Sequence, residues 1–211
     1  MLHGGDLADS GSSPIEIIDR VRDLGWQGVM GNTDEMLVRS DSLEEFARQS
    51  SGPPALWTAI REIAAATRSI IGDGRLAWLR EMPLVRVREG FALVHASPEN
   101  CWRAPAAGAA DSELEGVYGS LGRPVVVFGH THRPSIRSVA GKMKLLINTG
   151  SVGLPYDGDP RASYLILDGE KPTIRRVEYD LEKELRALAI CSLPGAEWTA
   201  RMLRTSSPQM P

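Results

Sequence analysis

His130 and His132 are separated by one residue and follow an apolar run, Val125 to Phe128, that breaks at Gly129. On an extended backbone, side chains two apart share a face, so the two imidazoles can converge on one metal ion. On a surface loop they would be unrelated histidines, and the pair alone does not choose between these readings. Three more polar groups sit at similar junctions. His95 ends the run Phe91 to Val94, Asn32 lies in the turn-forming cluster Gly31-Asn32-Thr33-Asp34 after Trp26 to Met30, and Asp6 follows Gly4-Gly5. One carboxylate, one amide and three imidazoles without a thiolate form a donor set suited to Mn, Fe, Zn, Co or Ni. A shared carboxylate can bridge two such ions about 3.5–4 Å apart. Each residue also has a plain alternative: Asn32 and Asp34 as turn residues, His95 as a hydrogen-bonded core histidine, Arg133 as a solvated or structural cation.

The elements that must carry these groups are legible around them. Ser13-Pro14 offers an N-cap and a proline at the first helical position, and Ile15, Ile18, Val21 and Leu24 follow at helical spacing until Gly25. Residues 35–82 are helical in pattern, with breaks at 50–54 and 72–74. Leu84 to Val87 and Phe91 to Val94 read as a hairpin across Arg88-Glu89-Gly90, and Asp111 to Leu121 as a helix capped by its acidic first residue. Val125 to Phe128 reads as a buried strand. Residues 135–140, 142–147, 163–167 and 173–179 alternate in the manner of an antiparallel run. Charged helices at 182–190 and 197–204 close the chain. Ligand sites in open α/β sheets lie beyond the carboxyl ends of strands, where all the candidate donors are expected to fall.

A chain of 211 residues with 42% apolar content builds one domain, here 1–180, with a helical appendage over 181–211. A net charge of -3 with scattered basic residues offers no field for nucleic acid or an anionic membrane. Cys101 and Cys191 form no disulfide framework, and the first residues form no leader, so a cytoplasmic protein without a membrane partner is expected.

Taken in order, Gly5-Asp6, Gly31-Asn32-Thr33-Asp34, Val94-His95-Ala96-Ser97-Pro98, Gly129-His130-Thr131-His132 and Asn148-Thr149-Gly150-Ser151 resemble the motifs of calcineurin-like metallophosphoesterases, in particular the small phosphodiesterase-like branch. The resemblance extends to about Asp180. It implies a four-layer α/β/β/α sandwich with a helical cap region over about 35–82. It also implies two divalent metal ions that activate a bridging hydroxide against a phosphodiester or phosphomonoester. Asp6 would bridge the ions, Asn32, His95 and His130 would hold one, and His132 would help hold the other, with Thr33 and Arg133 near the phosphate. Where many relatives carry Gly-Asn-His, this chain has Thr33, so leaving-group protonation would depend more on the metals. Relatives open with a strand ending in Asp-x-His, so a segment of about 35 residues is expected before Met1, either upstream of the assigned start or lost. His3 does not stand in for that histidine. If the segment is lost, the alternative is a truncated, metal-poor homologue that binds or oligomerises through an exposed sheet edge.

Overall fold

A computed structural model describes residues 1–211. The chain opens with β1 (Leu2–His3), which pairs in parallel with β2 (Gln27–Gly28) after the crossover helix α1 (Pro14–Asp23). Pro14 starts α1 as its fixed φ predicts, although the Ser13 side chain makes no capping bond. Ile18 and Val21 turn the apolar face of α1 inward. Next come α2 (Asn32–Val38), α3 (Ser42–Arg48), α4 (Pro54–Ile71) and α5 (Asp73–Arg80). Ile18, Leu37, Ile71 and Leu79 make a core for these helices, with Trp57, Trp78 and Trp102 packed against it. The expected helical span therefore starts three residues early. Gly31 is extended as the N-cap, and Asp34 accepts its N–H at 2.9 Å, so the turn-forming cluster is the first turn of α2.

A five-stranded sheet follows, made of β3 (Val85–Val87), β4 (Phe91–Val94), β5 (Val125–Phe128), β6 (Ser135–Ser138) and β7 (Leu145–Asn148) in the order β3-β4-β5-β7-β6. β3 and β4 form the expected hairpin. β4, β5 and β7 run parallel, and α6 (Asp111–Tyr118) provides the crossover from β4 to β5. The expected antiparallel pairing holds for β6 with β7, and β7 in addition pairs parallel to β5 on its other side, which the alternating pattern does not foretell. The cause is composition. Leu146 and Ile147 are apolar on both faces and take a central place, whereas the exposed Ser-Ile-Arg-Ser of β6 suits an edge. Asp111 is also not the cap of α6. It is the first helical residue, and its carboxylate instead accepts from Arg137 at 2.6 Å and from the Ala140 N–H at 2.9 Å.

The two faces of this sheet bury different partners. Val94, Val126 and Leu146 meet Leu114 and Tyr118 of α6. Leu93, Val125, Val127 and Ile147 meet Leu2, Val29 and, from the hairpin β8 (Ala162–Asp168) and β9 (Lys171–Val177), Leu165 and Leu167. Leu2 faces this core, and its neighbour His3 faces the other way, towards Trp78 of α5 at 6.4 Å between ring centres. The layers therefore run helix, five-stranded sheet, paired strands, helices, the α/β/β/α order implied by the motifs. The last helices, α7 (Leu181–Ile190) and α8 (Ala196–Thr205), pack on each other through Leu185, Leu188, Ala200 and Leu203, with Leu154 of the main body against them. Both cysteines are unpaired, and no helix is long and apolar enough to cross a membrane.

Candidate metal centre

Asp6, Asn32, His95 and His130 come from the carboxyl ends of β1, β2, β4 and β5, and they meet. Asn32 Oδ1 lies 3.0 Å from His95 Nε2 and 2.9 Å from His130 Nδ1, and Asp6 Oδ2 lies 3.3 Å from His95 Nε2. The His95 and His130 rings stand edge-on, 5.2 Å apart. His132 sits nearby, close enough to Asp6 to feel its charge. The route to this convergence differs from the expected one, because the histidine pair is not extended. His130 and His132 have φ of 63° and 57°, and Asp6 has φ of 56°. Only one other non-glycine residue in the chain, Ser206, has positive φ. Left-handed backbone at a non-glycine residue costs about 1–3 kcal/mol and persists where the surroundings hold it.

What holds it is visible residue by residue. Gly129 donates its N–H to the His95 carbonyl at 2.9 Å, joining the ends of β4 and β5. The buried Asn148 donates from Nδ2 to the Gly129 carbonyl at 2.5 Å and to Thr131 Oγ1 at 2.9 Å, so the end of β7 clamps the turn that carries both histidines. On the other side, Thr33 donates its N–H to Asp6 Oδ1 at 2.9 Å. Asp34 Oδ2 accepts from Asp6 N at 2.7 Å, and Asp34 Oδ1 accepts from Leu7 N at 3.0 Å. This approach requires the two glycines. A Cβ on Gly31 would lie 2.1 Å from Asp6 Oδ1, and one on Gly5, whose φ is 90°, would lie 2.5 Å from Gly31 N.

The first turn of α2 therefore aims three successive residues at the site and a fourth beside it. Asn32 faces the two imidazoles, Thr33 and Asp34 hold Asp6, and Glu35 reaches a loop that the motif reading missed. Glu35 Oε2 accepts from Trp102 Nε1 at 2.5 Å and from Cys101 Sγ at 3.3 Å. The Trp102 main chain in turn supports protonation of His130. The signal for Glu35 was present in its helical phase next to Asp34, but nothing in sequence tied it to residues 66 positions away. Of the two residues expected near a phosphate, Thr33 has a buried Oγ1 with no partner. Arg133 is exposed and donates from Nε to the Tyr156 carbonyl at 3.0 Å.

Burial and charge set the protonation of the group. Burial pushes the Asp6 carboxyl up, but the His95 imidazole and the Thr33 N–H outweigh it and hold Asp6 well below the usual carboxylate range. Burial pulls His95 down, yet the Asp6 charge and the Gly4 carbonyl leave it above its ordinary value. Burial and then the charge of His95 bring His130 down to about 4, and burial also lowers His132. Burial and the Asp6 charge push Asp34 up to about 6 against its three N–H donors.

This donor set fits a cation. His95 Nδ1–H donates to the Gly4 carbonyl at 2.6 Å, which leaves Nε2 as the ring's electron pair, facing the Asn32 and Asp6 oxygens. His132 Nδ1–H donates to the Leu154 carbonyl at 2.7 Å and leaves its own Nε2 pair free. Backbone carbonyls that fix an imidazole tautomer in this way are the usual outer support of metal-binding histidines. Without a cation the acceptors must be held together by protons, and burial opposes protonating His130. No three His, Cys, Asp or Glu side chains by themselves form a metal-holding group.

The comparisons with known proteins bear on the family and the fold. A sequence profile of the calcineurin-like phosphoesterase superfamily domain matches residues 1–171. An uncharacterised protein of Methanocaldococcus jannaschii is 30% identical over 221 aligned residues, covering 94% of this chain and 83% of the relative. A symmetrical bis(5'-nucleosyl)-tetraphosphatase of Aromatoleum aromaticum is 34% identical over 115 residues, 54% of this chain, and the match spans only 39% of that enzyme's length. Among solved structures, a metallophosphoesterase from Sphaerobacter thermophilus superposes with a TM-score of 0.74 at 24% identity, covering 96% of this chain and 86% of that one.

Proposed function

This chain belongs to the calcineurin-like phosphoesterase superfamily, and from that premise we propose that it is a metal-dependent hydrolase of a small phosphoester. Asp6, Asn32, His95 and His130 would hold one divalent ion, and Asp6 and His132 would contribute to a second. The observation that carries this reading is the meeting of Asn32 Oδ1 with His95 Nε2 and His130 Nδ1 within 3.0 Å, with the far nitrogen of His95 already committed to the Gly4 carbonyl. Bound divalent ions supply Lewis acidity there, drawing charge from the phosphoryl group and making water a stronger acid.

The chain's own residues do the rest. Asp6 stays ionised and brings a negative charge into a site otherwise lined by neutral donors, which favours a cation without cancelling its charge. Asn32 gives an amide oxygen fixed by its place in the first turn of α2. His95 and His132 keep their Nε2 pairs aimed because their Nδ1–H groups are anchored. Thr33 Oγ1 is unpartnered but buried, so it would donate to a phosphoryl oxygen only where substrate entry opens the first turn of α2. The terminal guanidinium nitrogens of the exposed Arg133 can face that charge directly. The name of the Aromatoleum relative makes nucleoside polyphosphates a natural first substrate set.

The test is metal analysis of the purified chain together with hydrolysis of bis(p-nitrophenyl) phosphate in Mn2+, against His130→Ala. Bound metal in the wild type and activity at least tenfold above the variant are expected. Wild-type turnover equal to that of His130→Ala would sink the reading and favour a metal-poor binding module.

A further inference from the structure

We propose that Tyr156 is a positioning residue through which the C-terminal helix α8 fixes the direction in which His132 presents its imidazole. The proposal rests on the reading of His132 as a metal-holding residue. It adds an outer support that none of the motif residues provides.

The supports of the histidines differ in origin. His95 is held by Gly4 and by the strand ends, and His130 faces Asn32 and the Trp102 main chain. His132 leans on one irregular loop, residues 151–158. Its Nδ1–H donates to the Leu154 carbonyl at 2.7 Å, and its ring stacks on Tyr156 at 4.7 Å with an interplanar angle of 27°. The Tyr156 N–H donates to the His132 carbonyl at 3.1 Å, and Arg133 Nε–H donates back to the Tyr156 carbonyl at 3.0 Å. The tyrosine thus touches His132 through both ring and main chain.

On the strand side the loop is held at two points, where the Ser151 carbonyl accepts from the Ser163 N–H of β8 at 2.9 Å and Asp157 pairs with Arg176 of β9. The anchors around Leu154, Tyr156 and Gly158 are C-terminal. Leu154 packs into the α7–α8 core, Tyr156 Oη donates to Met202 Sδ at 3.4 Å, and the Gly158 N–H donates to the Ser206 carbonyl at 3.0 Å. Met202 is itself 3% exposed, so its sulfur cannot move away from the tyrosine without disturbing α8. The left-handed φ of 57° at His132 needs such an external hold. It follows that loosening α8 should disturb His132 and leave His95 and His130 in place.

Long-range 1H–15N correlation spectra of the metal-free protein report each imidazole tautomer directly. In the wild type His132 is expected as a single Nδ1–H form. Tyr156→Leu should let it interconvert between tautomers, Tyr156→Phe should keep the single form, and Met202→Ala should shift the His132 signals but not those of His95 or His130. In Mn2+ titrations, Tyr156→Leu should weaken one of two binding steps about 10- to 100-fold, the usual range for an outer support. If Tyr156→Leu does not fold, as judged by its melting transition, Tyr156→Met fills the space without a planar face and carries the same test. A single unshifted His132 tautomer in the Leu or Met variant, or His132 signals unchanged in Met202→Ala, overturns the proposal. A wild-type chain that takes up no Mn2+ overturns the metal reading instead, and the metal-free spectra still decide the role of Tyr156.

Discussion

Asp34 Oδ2 accepts the main-chain N–H of Asp6 at 2.7 Å, so a residue two positions after the amide Asn32 holds the loop of the carboxylate. The same side chain accepts from Gly31 and Leu7. Asp34→Ala would leave these three N–H groups without an acceptor in a site that is 0% exposed at Asp34. An unsatisfied buried donor costs about 1–3 kcal/mol. A loss on the order of 3 kcal/mol in urea denaturation is expected, together with weaker Mn2+ binding. Asp34→Asn keeps one oxygen acceptor and should fall between. A loss under about 0.5 kcal/mol, the usual range of an inert surface change, would show that Asp34 is no clamp.

Glu35 makes a prediction about a thiol. Burial and then the neighbouring Glu35 carboxylate push the Cys101 thiol far above its ordinary value. Only the thiolate reacts at a useful rate. At pH 8 a disulfide reagent should therefore label the half-buried Cys191 and spare Cys101. Glu35→Ala removes the acceptor shared by Trp102 Nε1 and Cys101 Sγ, and it should expose Cys101 to labelling and shift the tryptophan fluorescence. Equal labelling of Cys101 in both proteins would mean that the loop does not depend on Glu35.

Thr33 separates a structural from a substrate role. Its buried hydroxyl has no partner in the chain, so Thr33→Val removes a desolvated polar group at nearly constant volume and should leave the melting temperature unchanged or higher. If the hydroxyl donates to a phosphoryl oxygen, the lost hydrogen bond of about 0.5–1.5 kcal/mol should raise KM by up to about tenfold. An unchanged KM would remove Thr33 from the substrate-binding residues.

These residues also mark what sequence could and could not convey. The strands before His95 and His130 were legible, because apolar runs broken by Gly or a polar residue specify strand ends by local rules. The two-residue β1 before Asp6 and the helical first turn that opens at Asn32 carry no such pattern. The place of β7 was not legible either. That Leu145–Asn148 lies between β5 and β6 depends on covering both its faces, which is settled by distant residues such as Tyr118 and Leu165. The left-handed backbone of His130 and His132 was also hidden, since neither residue type calls for it and Asn148 imposes it from 17–19 positions away. The supports from Glu35 and Tyr156 join residues with no common pattern, and only the packed chain brings them together.

Asp9 extends the argument to pH. As a residue it is only partly covered, yet its Oδ1 is out of reach of solvent and has no partner. Burial and then the charge of Asp6, with Asp34 behind it, push its carboxyl from 3.8 up to about 8, against one hydrogen bond from Ser10. The folded chain therefore holds a proton here that the unfolded chain releases above about pH 4. Such a group contributes stability in full below its unfolded value, and that contribution is lost as pH rises towards about 8. Asp9→Asn cannot ionise and should escape the loss. Melting in EDTA, so that no ion offsets the charge of Asp6, should show the variant gaining on the wild type between pH 5 and pH 9. The gain should be at least about 2 °C, the shift that 1 kcal/mol produces in a chain of this size. A difference that stays constant across that range would mean that Asp9 is ionised throughout and that its buried oxygen reaches water.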